Sequence, residues 1–268
     1  MTTVLKLGGS VVTQKDQPET VDDGALATAA RVVGESLGTT PDDPTASPGG
    51  ESLVVVHGGG SFGHPAAAAH GVSASEGTRD AAALADIHRA MGRLNNRVVT
   101  ALHAAGVPAL PGRPLSVVRR TNAGVTAPTA AVEGMLAEGF VPVLHGDVVV
   151  DETAGGTVCS GDTLVVALAD ALDADRLGVC STVPGVLDGG EVVPEITGYE
   201  AVADVLGGSD ATDVTGGVAG QGRGPLGRGG PAAVFGLRGL RRVLAGRQPG
   251  NAGRGRRAPG GAPPGGAA

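Results

Sequence analysis

Aromatic side chains are nearly missing from this chain. Among 268 residues there is no tryptophan, one tyrosine (Tyr199) and three phenylalanines (Phe62, Phe140 and Phe235). Stacking of nucleobases on an aromatic platform is thereby excluded as a binding mode, and no nucleic-acid partner is expected. Hydrophobic residues still make up 41%, so the core must be built from valine, leucine and alanine, which suits a sheet covered by alanine-rich helices. Cysteine is equally scarce. Cys159 and Cys180 have neither CxxC spacing nor a small secreted scaffold around them, which excludes a disulfide framework. His57, His70, His88, His103 and His145 show no metal-ligand spacing, so they are read as structural or solvent-facing and no protein-held metal is expected. No apolar run approaches the roughly 18 residues of a membrane span, and no charged-then-apolar leader precedes Val4. The expectation is a soluble, cytoplasmic protein without a membrane partner.

Two further absences concern charge. Lysine occurs only as Lys6 and Lys15, against 18 arginines. Acidic residues stop at Asp213: all 27 lie in residues 1–213 with 11 basic ones, whereas residues 214–268 carry nine arginines and no acid. The net charge of -7 therefore conceals a strongly acidic body, whose carboxylates would keep a protein in solution at high salt.

Along the chain, residues 4–7 form a short apolar run that ends in Gly8-Gly9-Ser10, a strand entering a tight turn. An Ala/Val-rich helix is predicted over residues 23–37, and a proline-containing surface loop over 39–52. A second buried strand, residues 53–57, runs straight into HGGGSFGH. From Leu84 the apolar residues Ile87, Met91, Leu94, Val98 and Leu102 follow the spacing of an amphipathic helix, which Gly106 closes. Residues 141–144 and 148–150 read as strands flanking His145-Gly146-Asp147, residues 164–172 as helix, and 177–180 and 232–235 as strands. Strands alternating with helices predict an α/β fold, a mostly parallel sheet sandwiched between helices. It would occupy residues 1–246, and a Gly/Pro/Arg-rich disordered tail would occupy 247–268.

Two glycine-rich turns, each behind a strand, are the chemical signal. Without a Cβ, successive backbone N–H groups converge on an anion. One such turn is common; a pair fits two phosphate-bearing ligands held face to face. Gly58-Gly59-Gly60-Ser61-Phe62-Gly63 formally matches the dinucleotide fingerprint GxGxxG. That motif requires a second strand ending in an acid about 20 residues on. Here residues 66–105 are alanine-rich and read as helical, and Asp80 falls in no strand. The GxxxxGK[ST] pattern is absent.

KLGGSVVTQK, VVVHGGGSFGHPAA, PVLHGDVVVD, TVCSGDTLVVALA, TVPGVLD and SDATDVTGG, in this order, resemble the isopentenyl phosphate kinases of the amino acid kinase family. The resemblance runs over about residues 3–217, and HGGGSFGH is its most specific element. It implies an ATP-dependent phosphotransferase that acts on a phosphate acceptor, isopentenyl phosphate, in isoprenoid precursor synthesis by an alternative mevalonate route. It also implies Mg2+ bound through the ATP phosphates, and a homodimer. The acceptor site would lie mainly in residues 1–150 and the nucleotide site mainly in 151–246.

By the same resemblance Lys6 bridges the transferring phosphoryl group, Lys15 stabilises its charge, and Asp162 accepts hydrogen bonds from both lysines. Gly8, Gly9 and Ser10 cradle ATP phosphates through their amides. Gly60, Ser181, Thr182, Gly185, Asp213, Gly216, Gly217 and Gln221 complete the nucleotide side. Gly59, His64, Gly146, Asp147 and Gly161 belong to the acceptor side, with His64 bonding the acceptor's own phosphate. A phosphate monoester is already an anionic nucleophile, so no general base is required. Ile87, Met91 and Leu94 could line a pocket for the isopentenyl tail, or simply form the core-facing stripe of their helix.

After residue 217 the chain departs from the family pattern. Val218 and Gln221 stand where the family has methionine and a phosphate-reaching lysine, so one cationic contact is missing. The Gly/Arg-rich stretch that follows reads like a shifted frame of a GC-rich gene; a nucleic-acid-binding basic tail is the rival explanation. A kinase of this family with another phosphate or carboxylate acceptor, and a nucleotide-binding protein with impaired catalysis, remain alternatives.

Overall fold

The computed structural model describes residues 1–43, 51–127, 129–182, 186–188, 191–193 and 232–247. The expected stretch 218–230 and the tail beyond Arg247 lie outside the described residues.

Six strands form one wholly parallel sheet. In chain order they are β1 (Thr2–Leu7), β2 (Ser52–His57), β3 (Ala109–Pro111), β6 (Val141–His145), β9 (Arg176–Cys180) and β12 (Ala232–Phe235). Their order across the sheet is β12-β9-β1-β2-β6-β3. These strands read as continuous apolar runs because both faces are covered. Side-chain alternation divides them between two cores. Leu5, Leu7, Leu53 and Val55 pack with the helices α2 (Asp23–Leu37), α4 (Ala81–Ala104) and α8 (Leu240–Leu244). Val4, Val54 and Val56 pack on the other side with α6 (Ala130–Ala137) and α7 (Gly161–Ala171). The expected three-layer arrangement is thus realised.

A second sheet joins β4 (Arg119–Thr121), β5 (Gly124–Thr126), β7 (Asp147–Asp151) and β8 (Gly155–Cys159) in the order β5-β4-β7-β8, with only β4 and β7 parallel. A hairpin of β10 (Val186–Asp188) and β11 (Glu191–Val193) stands apart.

Helix boundaries follow their caps. The Asp22 carboxylate accepts the Ala25 N–H at 2.9 Å, and Gly38 ends α2 at φ 66°, a left-handed turn that costs glycine little. Asp80 accepts the amides of Ala82 and Ala83 and thereby opens α4 at Ala81. The alanine-rich stretch 66–105 is therefore not one helix, contrary to the sequence expectation. α3 (Gly60–Ala69) ends before Gly71 at φ 63°, and the hydroxyl of Ser73 then accepts the N–H groups of Ser75 and Glu76 in a turn. Side chains that satisfy nearby amides outcompete helix propensity there.

The strand registers decide where the loops go. Leu7 is level with His57 and with Cys180, His57 with His145, and Cys180 with Phe235. Five strands therefore end on one line. The order also reverses between β9 and β1, since β2 lies on one side of β1 and the later strands β9 and β12 on the other. Open parallel sheets bind ligands at such a place.

α4 is tied to β7 below this edge. The His88 Nδ1 lies 2.7 Å from the Asp147 carboxylate, whose side chain is fully buried and also accepts the Val148 N–H at 2.9 Å. The Asp147 bond raises the pKa of His88 above its ordinary 6.5, and burial raises that of Asp147 above its ordinary 3.8. Both shifts mean that the folded state holds protons more tightly than the unfolded chain. The His88 contribution is full below pH 6.5 and is lost as pH rises through the raised folded value. We expect His88→Ala to be less stable than the wild type by about 1.5–3 kcal/mol in the acid part of this window. The gap should narrow on moving from about pH 6 to about pH 9 in paired thermal melts, as the charge on His88 is lost and only its neutral hydrogen bond remains; a gap independent of pH would contradict the assignment.

Candidate active site

The loops that leave the common strand edge are stitched to one another by backbone bonds. Each begins with an amide that donates to the last carbonyl of the neighbouring strand. Gly8 N–H bonds Cys180 O at 2.8 Å, Gly58 bonds Leu7 O at 3.0 Å, Gly146 bonds His57 O at 3.0 Å and Ser181 bonds Phe235 O at 2.8 Å. Neighbouring strands lie only about 4.8 Å apart, so the loops meet main chain to main chain. A Cβ on Gly58 would lie 2.6 Å from the Gly9 nitrogen, and one on Gly146 2.8 Å from the Gly161 nitrogen. Glycine is required at both places by contact, independently of any ligand. Gly60 adds a positive φ of 47° at the start of α3.

This stitching corrects one expectation. The Gly8 amide is already committed to Cys180 and is not free to cradle a phosphate. The amides of Gly9, Ser10, Gly59 and Gly60 have no such partner among the described residues and remain available at the cavity wall.

Lys6 follows Val4 on the face of β1 that carries α7. It is only 7% exposed, and a buried ammonium needs a partner. It finds one in Asp162, in the first turn of α7, with Nζ 2.5 Å from Oδ1. The Ser160 hydroxyl caps that turn by accepting the Thr163 N–H at 3.0 Å. Lys15 lines the same cavity from the exposed loop 14–20, but no bond joins it to Asp162. The expectation that Asp162 holds both lysines is met for Lys6 alone.

His64 stands on α3 and is exposed to the cavity. Its pKa is lowered by the surrounding protein first and by the Lys6 charge second, with Asp162 opposing. The imidazole is thus neutral near pH 7 and offers one N–H and one lone pair. Pro65, next in the helix, has no N–H to give to the Ser61 carbonyl. That carbonyl accepts the Glu19 N–H instead, at 2.9 Å.

The cavity between these loops has a volume of about 520 Å³. Gly9, Ser10, Gly59, Gly60, Gly146, Gly161, Ser181 and Thr182 all line it, and Gly8 does so as well. Asp147 also borders it, although its buried carboxylate is turned to His88. Thr182 reaches across to Ser10, with the hydroxyls 3.4 Å apart. Ile87 and Met91 form part of an apolar wall with Ala67 and Val158. Leu94 does not; it is fully buried in the core. Gly185, Asp213, Gly216, Gly217 and Gln221 lie outside the described residues.

The sequence reading missed Thr13, Ser61, Val158 and Ser160, which also line the cavity. Ser160 was legible in principle as a helix cap three residues before Thr163. The other three have no local signal. Two fully buried histidines lie beneath the loops. His57, driven down to about 4 by burial, bonds Gly58 O at 3.1 Å and Asn95 at 3.2 Å. His145, also lowered by burial, bonds Gly146 O at 2.9 Å.

Unpaired amides, two lysines and a neutral histidine suit anions, and the comparisons with known proteins agree with that chemistry. The chain is 55% identical over 256 residues, 94% of its length and 98% of the other's, to the isopentenyl phosphate kinase of Haloferax volcanii. It is 33% identical over 200 residues, 73% of its length and 75% of the other's, to that of Methanocaldococcus jannaschii. A crystallographic structure of isopentenyl phosphate kinase superposes with a TM-score of 0.72 at 27% identity, covering 92% of this chain and 97% of that one. The profile of the amino acid kinase family matches residues 1–220, and the chain belongs to that family.

Proposed function

We propose that the protein transfers the terminal phosphoryl group of ATP to isopentenyl phosphate, giving isopentenyl diphosphate and ADP. The observation that carries this reading is the place of His64, an imidazole on the cavity wall that also holds the buried Lys6–Asp162 pair. A neutral N–H donor binds an acceptor that already carries a phosphate, and it leaves that phosphate's anionic oxygen free to attack. Met91 supports the assignment: a Cβ on Gly63 would lie 2.5 Å from its Sδ, and one on Gly59 3.5 Å away. The apolar wall therefore starts at the loop that would hold the acceptor phosphate. A cavity of about 520 Å³ is of the size that takes small ligands.

In this reading Gly9, Ser10 and Gly60 donate amides to ATP, with Ser181 and Thr182 beside the nucleotide. Gly59, His64, Gly146 and Gly161 border the acceptor. Lys6, held in place by Asp162, spans both sides, and Lys15 adds the second positive charge. The acceptor half falls mainly in residues 1–150 and the nucleotide half mainly in 151–246, where Gly185, Asp213, Gly216, Gly217 and Gln221 belong. Magnesium enters on the ATP. The free donors here are amides and ammonium groups, which attract phosphate oxygens and do not ligate cations, and Asp162 is committed to Lys6. Bound to phosphate oxygens and water, Mg2+ would neutralise part of the polyphosphate charge.

Among the described residues no helix is long and apolar enough to cross a membrane, and we assign the enzyme to the cytoplasm. We further assign it to isoprenoid precursor synthesis by an alternative mevalonate route, as a homodimer. A panel of isopentenyl phosphate, dimethylallyl phosphate, glutamate and UMP, each with Mg·ATP, tests the acceptor. Preferential turnover of isopentenyl phosphate is expected, and turnover of glutamate alone would replace this reading.

The lysines act most strongly as charge develops on the transferring group. Lys6→Ala and Lys15→Ala should therefore lower kcat far more than they weaken ATP binding. Steady-state kinetics with a separate nucleotide titration measure this, and an unchanged kcat in Lys6→Ala would remove that lysine from the chemistry. His64→Ala should raise KM for isopentenyl phosphate roughly ten- to hundredfold, the loss of one charge-assisted hydrogen bond, and leave KM for ATP nearly unchanged. His64→Gln, which keeps a donor, should fall between them; a wild-type KM in His64→Ala would make the histidine structural.

A further inference from the structure

Thr13 lies between the two glycine loops, and its hydroxyl touches both. It is 3% exposed. Its Oγ1 donates to Gly9 O at 2.8 Å and accepts the Ser61 N–H at 3.1 Å. One hydroxyl thereby joins the carbonyl of the first loop to the amide that opens the helix behind the second. The fit is close enough that a Cβ on Gly60 would collide with Thr13 Oγ1. We infer that the Thr13 hydroxyl is a positioning residue for phosphoryl transfer: it sets the separation of the two loops and, through them, the distance between donor and acceptor phosphates.

Three neighbouring contacts extend this block to Lys15. Thr13 bridges Val21, and Gln14 N–H bonds Thr20 O at 2.9 Å, so the loop bearing Lys15 is closed at its base. The Ser61 hydroxyl donates to Thr20 O at 3.2 Å, and the Ser61 carbonyl accepts the Glu19 N–H. Glu19 sits at φ 49°, a left-handed conformation uncommon outside glycine, and its carboxylate pairs with Arg93 of α4. Strain of this kind persists only where surrounding contacts hold it. Lys15, the first loop and the second loop are therefore one unit, and Thr13 is its buried joint. Neither ligand need touch Thr13 for its loss to matter, because a displacement of about 1 Å between reacting groups can cost roughly a hundredfold in rate.

The inference rests on the proposed transfer, and its test separates the two. Thr13→Val keeps the shape and removes the hydroxyl; Thr13→Ser keeps the hydroxyl. We expect Thr13→Val to lower kcat roughly ten- to hundredfold, with KM for ATP and for isopentenyl phosphate within about threefold of wild type, and Thr13→Ser to recover most of the loss. A merely structural threonine would change melting temperature without this split. The activity-free readout is hydrogen exchange at the Ser61 amide, which should accelerate in Thr13→Val and not in Thr13→Ser. Wild-type kcat in Thr13→Val, or equal losses in both variants, overturns the inference. A wild-type protein that transfers nothing to isopentenyl phosphate overturns the transfer reading alone. The clamp then stands or falls on whether Ser61 exchange accelerates.

Discussion

Adjacent parallel strands cannot separate their loops by more than the strand spacing, and the architecture around the cavity follows from that constraint. β1 and β2 end level with each other, so the turn after Leu7 and the turn after His57 must cross in backbone contact. Side chains cannot be accommodated at Gly58 or Gly146. Each loop spends its first amide on the neighbouring strand's last carbonyl. Among the described residues, what remains is a small set of unpaired N–H groups at the mouth of the sheet, on main chain held by those bonds. Such donors need little reorganisation when an anion arrives, which is the form of electrostatic assistance that phosphoryl transfer uses.

Charge is arranged around those amides so that little of it is loose. Lys6 is buried and therefore paired, and its Asp162 partner is itself placed by the capped first turn of α7. His57 and His145, under the loops, are kept neutral by burial and bond the carbonyls of Gly58 and Gly146. Positive charge on them would compete with the lysines for the same anions. Lys15, exposed and without an ion pair among the described residues, adds a second ammonium to the cavity wall. Its loop is fastened at the base by the Thr13–Val21 bridge and the Gln14–Thr20 bond.

The acceptor side combines this polar mouth with an apolar patch from a different part of the molecule. Ala67, Ile87 and Val158 belong to a small cluster that joins α3 and α4 to the second sheet. That cluster exists because β6 passes into β7 after the single residue Gly146 and so brings the second sheet against α4. The same passage buries Asp147, which its place in HGD does not disclose, and turns its carboxylate to His88.

Much of this was legible in the residues because it is local. The limits of α2 follow from Asp22 and Gly38, and the last described strand, Ala232–Phe235, falls where its apolar run lies. The glycine turns sit behind the runs that become β1 and β2, and the spacing of Ile87 and Met91 marks a helix face. Caps, periodicity and turn residues act over a few positions, so the chain states them directly. The break at residues 70–80 was missed because Ser73 and Gly71 outweigh a run of alanines only once the turn is formed. The partner of Lys6 lies 156 residues away, and the contact of Thr13 with Ser61 spans 48. No pattern in the sequence encodes which amide a neighbouring strand will consume, which is why Gly8 reads as a phosphate donor and folds as a link to Cys180. The sequence by itself determined most strands of the parallel sheet, the helices with clear caps or periodicity, the family and the residue types at the site. Only the tertiary structure decided which donors stay free, because that depends on how strands far apart in the chain come into register.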